Sequence, residues 1–360
     1  MHAFPRRAWE REILWSARRT LHEKKKDQIF MNLQILKCHG SGNDFILINE
    51  YENLLFSEDE RIILSKTFCD RKGILGADGI LFFQNSEAAD GKMRMFNPDG
   101  SEAEMCGNGL RCIGRFACES LDKESVLIET LKGVSHVSKH KNIHQSVPAY
   151  QAELSTISLN TKKIPIFVNS DSLINEPLPA LSTDLKFTAV SMPNPHIVSI
   201  VQTISDNQLE EIGEKANQLS DLFPEGVNVN FCQILDDGAI FVRTYERGVG
   251  LTNSCGSGMS ASSLVACLLG HHQFGKSIDV YNRGGLVRCE AREIHQNQYS
   301  VFLSGNATFV FNSTIAFELE NISHVTHSCE KIFVDEIQNY GRLIEYGLLT
   351  RDLRGNYVIQ

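Results

Sequence analysis

Met105-Cys106-Gly107-Asn108-Gly109-Leu110-Arg111 and Ser254-Cys255-Gly256-Ser257-Gly258-Met259-Ser260 are two copies of one phrase, cysteine–glycine–polar–glycine. Each opens a predicted helix; after the first, Leu110, Ile113, Phe116, Ala117 and Leu121 follow at helical spacing. A cysteine at a helix N-terminus has its thiolate stabilised by the dipole and by N–H groups that lack intrahelical acceptors. The glycines remove side-chain bulk, so those N–H groups approach a bound anion closely. Two such thiols suit a reaction that takes a proton from one face of a carbon and returns one to the other.

The other eight cysteines (Cys38, Cys69, Cys112, Cys118, Cys232, Cys267, Cys289 and Cys329) lack this glycine context and read as small buried hydrophobes. No Cys-x-x-Cys pair occurs in the 360 residues, which argues against a zinc knuckle or a thioredoxin-type site. No metal and no cofactor is expected. The formal net charge of -9 argues against general nucleic-acid binding, and no apolar run is long enough to span a bilayer. Unpaired cysteines without a secretory signal predict a cytoplasmic location. Residues 1–30 carry Arg6, Arg7, Arg11, Arg18, Arg19 and Lys24-Lys25-Lys26 with only a weak apolar stripe, and Glu10, Glu12, Glu23 and Asp27 count against a transit peptide. They read as a dispensable extension, or as a start site placed too early, rather than as a functional arm.

From Met31 short strands alternate with helices. Strands are expected near 33–37, 45–48, 80–83, 93–96 and 126–130. A helix is expected from Ser57, a cap with Glu60 at the capping-box position, to Cys69. Asn97-Pro98-Asp99-Gly100 is a turn before the first cysteine helix. Further strands are expected at 150–159, 187–190, 227–235 and 239–244, a helix at 209–222, and a tail helix near 330–346. Both halves repeat strands, glycine turn, cysteine, helix. The expected fold is therefore α+β, with two similar domains facing each other across a cleft that holds the active site.

The chain resembles the diaminopimelate epimerase family of pyridoxal-phosphate-independent amino-acid epimerases. The phrases that carry the resemblance, in family order over residues 31 to 317, begin with Gly40-Ser41-Gly42-Asn43-Asp44-Phe45, Gly76-Ala77-Asp78-Gly79 and Phe96-Asn97-Pro98-Asp99-Gly100-Ser101. The first cysteine phrase follows, then Asn194-Pro195-His196, Gly226-Val227-Asn228-Val229, Tyr245-Glu246-Arg247-Gly248-Val249-Gly250 and the second cysteine phrase. The resemblance implies two pseudo-symmetric α/β domains, each a central helix wrapped by mixed or antiparallel strands. It places an N-terminal domain at 31–152, completed by strands from about 298–317 (Val301-Phe302-Leu303 and Phe309-Val310-Phe311). A C-terminal domain follows at 153–297; residues 318–360 extend beyond the family's usual end and read from their own pattern as a helical tail. Leu251 stands where many members carry glutamate, and Ser254 where alanine is common.

The resemblance also implies epimerisation of LL- to meso-2,6-diaminopimelate in lysine and peptidoglycan-precursor synthesis. Cys106 and Cys255 are the acid/base pair, and Gly107, Asn108, Gly256 and Ser257 meet the substrate α-carboxylate. Asn43, Asn97, Asn194, Asn228, Glu246 and Arg247 bind the rest of the substrate, where a guanidinium suits bidentate carboxylate recognition. His196 and Glu246 tune the thiols, His196 assigned to Cys106 and Glu246 to Cys255. A lone histidine reads by default as a core or surface residue, and adjacent charges such as Glu246-Arg247 as a surface ion pair; their positions in these phrases favour function. Two rivals stand beside this reading: a racemase of another amino acid such as histidine, and a non-catalytic binding protein or thiol sensor. The expected partner is a small amino-acid substrate, with neither nucleic acid nor membrane, and the tail is expected to pack on its own domain or across a homodimer.

Overall fold

The computed structural model describes residues 30–154, 157–192, 194–235, 238–318, 322 and 325–354. The expected extension therefore lies outside the described residues, apart from residue 30, which opens the first strand. In chain order the first half runs β1 (Phe30–Gly40), β2 (Asn43–Glu50), α1 (Glu58–Phe68), β3 (Gly79–Gln84), β4 (Gly91–Phe96), β5 (Glu102–Ala103), α2 (Gly107–Leu121), β6 (Ser125–Thr130) and β7 (Gly133–His140). The second runs β8 (Ala149–Leu154), β9 (Glu176–Pro177), β10 (Lys186–Ser191), β11 (Pro195–Val201), α3 (Asp206–Gln218), β12 (Asn228–Ile234), β13 (Ile240–Glu246), β14 (Gly250–Thr252), α4 (Gly256–Leu268), β15 (Ser277–Asn282), β16 (Gly285–His295) and β17 (Gln298–Asn306). Then come β18 (Thr308–Glu318), β19 (Thr326–Ile332) and α5 (Val334–Arg354). The described residues form two compact units, one within Met1–Lys139 and Ala307–Ile337, the other within His140–Asn306 and Gln338–Gln360.

Both units follow one pairing rule. In the first, β1–β2 is antiparallel, β2–β3 parallel, β3–β4 antiparallel and β4–β6 parallel. In the second, β10–β11, β11–β12, β12–β13 and β13–β15 repeat the same four signs. Parallel neighbours need a crossover connection, and the four crossovers are α1, α2, α3 and α4. The mixed α/β fold is thus one topology used twice.

Each cysteine helix is the buried axis of its unit. α2 packs against β1, β2, β3, β4 and β6, and α4 against β10 to β13 and β15 to β17. Residues 108–118 are buried without a break, as are 258–267. A helix enclosed all round needs small residues where strands come close. A Cβ added at Gly114 would stand 2.3 Å from Val137 Cγ1, so glycine is what lets β7 close on α2. In α4 the same room comes from Gly258, Ser260, Ala261, Ser262, Ser263 and Ala266.

Helix starts follow their local capping signals. Ser57 Oγ accepts from Glu60 N–H at 3.4 Å and the Glu60 carboxylate accepts from Ser57 N–H at 2.6 Å, the reciprocal pair that starts α1. α3 begins three residues before its expected start at 209, because Ser205 Oγ accepts from Gln208 N–H, and it ends at Gln218 rather than 222. Val301-Phe302-Leu303 lies in β17, which pairs with β16 and β8 in the second unit, whereas Phe309-Val310-Phe311 lies in β18, which pairs with β1 in the first. The β8–β17 pairing carries the unit boundaries to 139/140 and 306/307. The tail is not all helix: β19 pairs antiparallel with β18, and the helix starts at Val334. Every residue of β19 is exposed, so its own sequence carries no alternating apolar pattern; the open edge of β18 decides its state. Tyr340 and Leu343 of α5 are buried in the second unit, with Tyr340 Oη donating to Gly284 O at 2.8 Å.

Candidate active site

Cys106 is the N-cap of α2, with extended backbone (φ -145°, ψ 108°) and a thiol that accepts from Gly109 N–H at 3.4 Å. Its Sγ lies 3.8 Å from Asn43 Oδ1, to which the thiol donates, and Asn108 Nδ2 donates to the same oxygen at 3.3 Å. The orientation of the Asn43 amide is fixed from behind. Its Nδ2 donates to Asp78 Oδ2 at 2.8 Å, and a carboxylate only accepts, so Oδ1 must face the thiol. Asp78 is held in turn by Asp44 N–H and Arg71. The guanidiniums and amines of Arg71 and Lys37 hold the Asp44 carboxyl below the usual range against the opposing effect of burial.

Close approach explains the glycines of the first phrase. A Cβ on Gly109 would stand 2.9 Å from Leu81 Cδ2, and one on Gly40 3.0 Å from Asn108 O. Arg111, fully buried, donates to Asn108 Oδ1 at 2.9 Å, Ser41 Oγ at 3.1 Å and Gly107 O at 3.4 Å. Its positive charge sits in the first turns of α2 and adds to the dipole that favours an anion there. Asn43, Cys106, Gly107 and Asn108 thus form one cluster. Asn97 lies in the turn after β4, where Nδ2 donates to Ser101 Oγ at 3.0 Å.

Cys255 caps α4 in a matching conformation (φ -119°, ψ 109°), and is buried. Its Sγ is 3.6 Å from Ser257 Oγ, and the thiol also bonds the Glu246 carboxylate. Glu246 accepts from Thr252 Oγ1 at 2.6 Å. Burial, then the adjacent Glu246 charge, pushes the Cys255 thiol well up, and burial raises the Glu246 carboxyl too. Cys255 therefore holds its proton. Glu246 is the acceptor beside it.

His196 shares the unit and the helix terminus of Cys255. Its Nε2 is 3.0 Å from Ser257 Oγ and 3.2 Å from Asn194 Oδ1, and its Nδ1 is 3.0 Å from Asn230 Nδ2. The ring is fully enclosed, and burial depresses its pKa to about 3, so it is neutral. Asn194 Nδ2 donates to Ser257 Oγ at 3.3 Å. Asn228 Oδ1 accepts from Arg247 N–H at 2.9 Å, and the Arg247 guanidinium donates to Glu225 O. The second cluster therefore gathers Asn194, His196, Asn228, Glu246, Arg247, Cys255, Gly256 and Ser257. His196, assigned above to Cys106, reaches Cys255 through Ser257.

Four contributors went unread in the sequence: Asp78, Arg111, Asn230 and Thr252. Asn230 had a signal, because Asn228-Val229-Asn230 in a strand puts both amides on one face. Arg111 had none, since a full-length arginine reads as surface. Leu251 packs in the apolar core of the second unit, paired across the β13–β14 turn with Tyr245.

Among the described residues no group of His, Cys, Asp and Glu could hold a metal ion, and no helix is long and apolar enough to cross a membrane. The sequence profile described as diaminopimelate epimerase matches residues 35–153 and 188–310. A diaminopimelate epimerase of Clostridium acetobutylicum is 45% identical over 323 residues, covering 89% of this chain and 97% of its own. One from Listeria monocytogenes is 40% identical over 302 residues, covering 82% and 92%. Among solved structures, a methylitaconate-delta-isomerase superposes with a TM-score of 0.59 at 13% identity, over 84% of this chain and all of that one (100%). A hydroxyproline epimerase from Agrobacterium vitis gives 0.55 at 13%, over 81% and 92%. These distant likenesses bear on the fold alone; the profile and the close relatives decide the rest, and the chain belongs to the diaminopimelate epimerase family.

Proposed function

We propose that this protein epimerises LL-2,6-diaminopimelate to the meso isomer, the activity its relatives are named for, in the synthesis of lysine and peptidoglycan precursors. The observation that carries the reading is the pair of cysteine N-caps, each a thiol set beside the open N–H groups of a buried helix. An α-proton is far less acidic than any side chain, so the negative charge that develops toward the α-carboxylate must be met directly. The N–H groups of Gly107 and Asn108, and of Gly256 and Ser257, are assigned to it as donors. No pyridoxal or metal electron sink is needed in this scheme. One thiol serves each face of the α-carbon. Cys255, held protonated by burial and by Glu246, delivers a proton, and Cys106 removes one in the same direction of turnover. Reversal exchanges the roles. Asn43, Asn97, Asn194, Asn228 and Arg247 are assigned to the distal ammonium and carboxylate, and the setting is the cytoplasm.

Purified protein in deuterium oxide is expected to wash deuterium into the α-position of LL-diaminopimelate and to form the meso isomer without added cofactor. Exchange into histidine but not diaminopimelate would move the reading to the racemase. No exchange into any amino acid of a panel would leave a binding protein.

A further inference from the structure

Asn230 touches neither cysteine, yet its amide makes more directional contacts than any other side chain around His196. Nδ2 donates to Ile197 O at 3.0 Å and lies 3.4 Å from Asn228 O. Both partners are backbone carbonyls, which only accept, so the amide cannot be flipped. Oδ1 accepts from Thr244 Oγ1 at 2.9 Å on the other side. The same Nδ2 faces His196 Nδ1 at 3.0 Å. A donor held there requires a bare Nδ1, and the ring's one proton must sit on Nε2.

The consequence runs on to the thiol. Three groups face Nε2: Ser257 Oγ at 3.0 Å, Asn194 Oδ1 at 3.2 Å and, farther off, the amide donor Asn228 Nδ2 at 3.4 Å; the two nearer oxygens take Nε2–H, Ser257 Oγ first. Asn194 Nδ2 also donates to Ser257 Oγ. With both lone-pair directions of the serine oxygen taken by N–H donors, its own hydrogen is left to point at Cys255 Sγ, 3.6 Å away. Gly258 guards the arrangement: a Cβ there would stand 2.3 Å from Asn230 Oδ1 and 2.7 Å from Thr244 Oγ1.

We propose that Asn230 is a positioning residue that locks His196 as the neutral Nε2–H tautomer, and so directs the Ser257 hydroxyl as a hydrogen-bond donor onto Cys255 Sγ. That donor stabilises the thiolate Cys255 becomes after giving up its proton, against the opposing charge of Glu246. The neutral state is supported by burial and by the repulsion of Arg247, the charged group acting on the ring. The catalytic part of the inference rests on the epimerase reading; the tautomer part does not.

The test begins with the wild-type protein, so it does not depend on a variant folding. Ring ¹⁵N spectra of histidine-labelled enzyme, with the His196 signals identified by their loss in His196→Gln, are expected to show Nε2 protonated and Nδ1 bare from pH 8 down to pH 5. An Nδ1–H tautomer or an imidazolium at pH 7 overturns the proposal. Asn230→Asp replaces the donor by an acceptor and is expected to move the proton to Nδ1. It should slow α-deuterium exchange roughly 10–100-fold, by analogy with losing the hydrogen-bond partner behind a metal-bound histidine. Iodoacetamide labelling of Cys255, read by peptide mapping, should then need a higher pH than in wild type. Asn230→Asp with the wild-type tautomer, or with a changed tautomer but unchanged exchange and labelling, overturns it. If wild type exchanges no amino acid while its tautomer is as expected, the epimerase reading fails and the ring assignment stands.

Discussion

At the residue scale, two chemically identical thiols are made unequal by their surroundings. Cys106 is partly exposed, with Asn43 Oδ1 turned toward it by Asp78. Cys255 is kept protonated by burial and then by the carboxylate beside it. A two-base reaction needs one base and one acid at the start of each turnover; Cys255 is the protonated partner, and Cys106 becomes the base once it gives up the proton it donates to Asn43 Oδ1. Replacing either cysteine by alanine is expected to lower diaminopimelate epimerisation by at least roughly 10²–10⁴-fold, the usual contribution of a positioned acid or base, with circular dichroism unchanged. Either single variant turning over at wild-type rate under reducing conditions would remove the two-base scheme.

At the element scale, the sites depend on how firmly the two axial helices are seated. α2 is tied by Arg115, whose guanidinium donates to both oxygens of Glu336 at 2.6 and 2.8 Å, to Ala307 O at 2.6 Å and to Glu119 at 2.8 Å. It also lies 3.7 Å from the centre of the Phe309 ring. Glu336 accepts from Phe309 N–H as well, at 3.0 Å, so the first turn of α5 joins β18 to α2 within the first unit. Removing one partner of a largely buried ion pair leaves the other charge enclosed. Glu336→Ala is therefore expected to lower unfolding free energy by about 3 kcal/mol in urea titration. A loss below the usual range of a surface pair would show that Glu119 and Ala307 O suffice to hold Arg115.

At the scale of the whole molecule, two enclosed histidines set how stability responds to acid. Burial depresses His196 to about 3 and His39 to about 4, both from an ordinary 6.5. Between these values and 6.5 the unfolded chain binds protons that the folded chain refuses. Stability therefore falls as pH drops through that window, by about 1.4 kcal/mol per pH unit for each such histidine. Glu246, raised by burial, opposes this by binding its proton more readily when folded. Urea midpoints measured from pH 7 to pH 4.5 are expected to decline, and His196→Gln should flatten the slope by one histidine's share. Parallel slopes in wild type and variant would mean that His196 is charged inside the fold.

What the sequence settled by itself is what short-range physics writes into a few neighbouring residues. The capping box at Ser57, the apolar spacing after Cys106 and the cysteine–glycine phrases each specify a local conformation with its own hydrogen-bond partners. Those phrases, in their order, were enough for the α+β fold and the two thiols. Other features exist only because residues far apart in the chain meet. β19 is a strand because β18 offers it an edge, and β17 joins the second unit because β8 lies beside it. Arg111 is interior because Ser41, Asn108 and Gly107 supply acceptors that no pattern announces. The protonation of Cys255 and the tautomer of His196 belong to the same class. Desolvation and an amide pinned by two backbone carbonyls set them, and both come into being only when the strands close around α4.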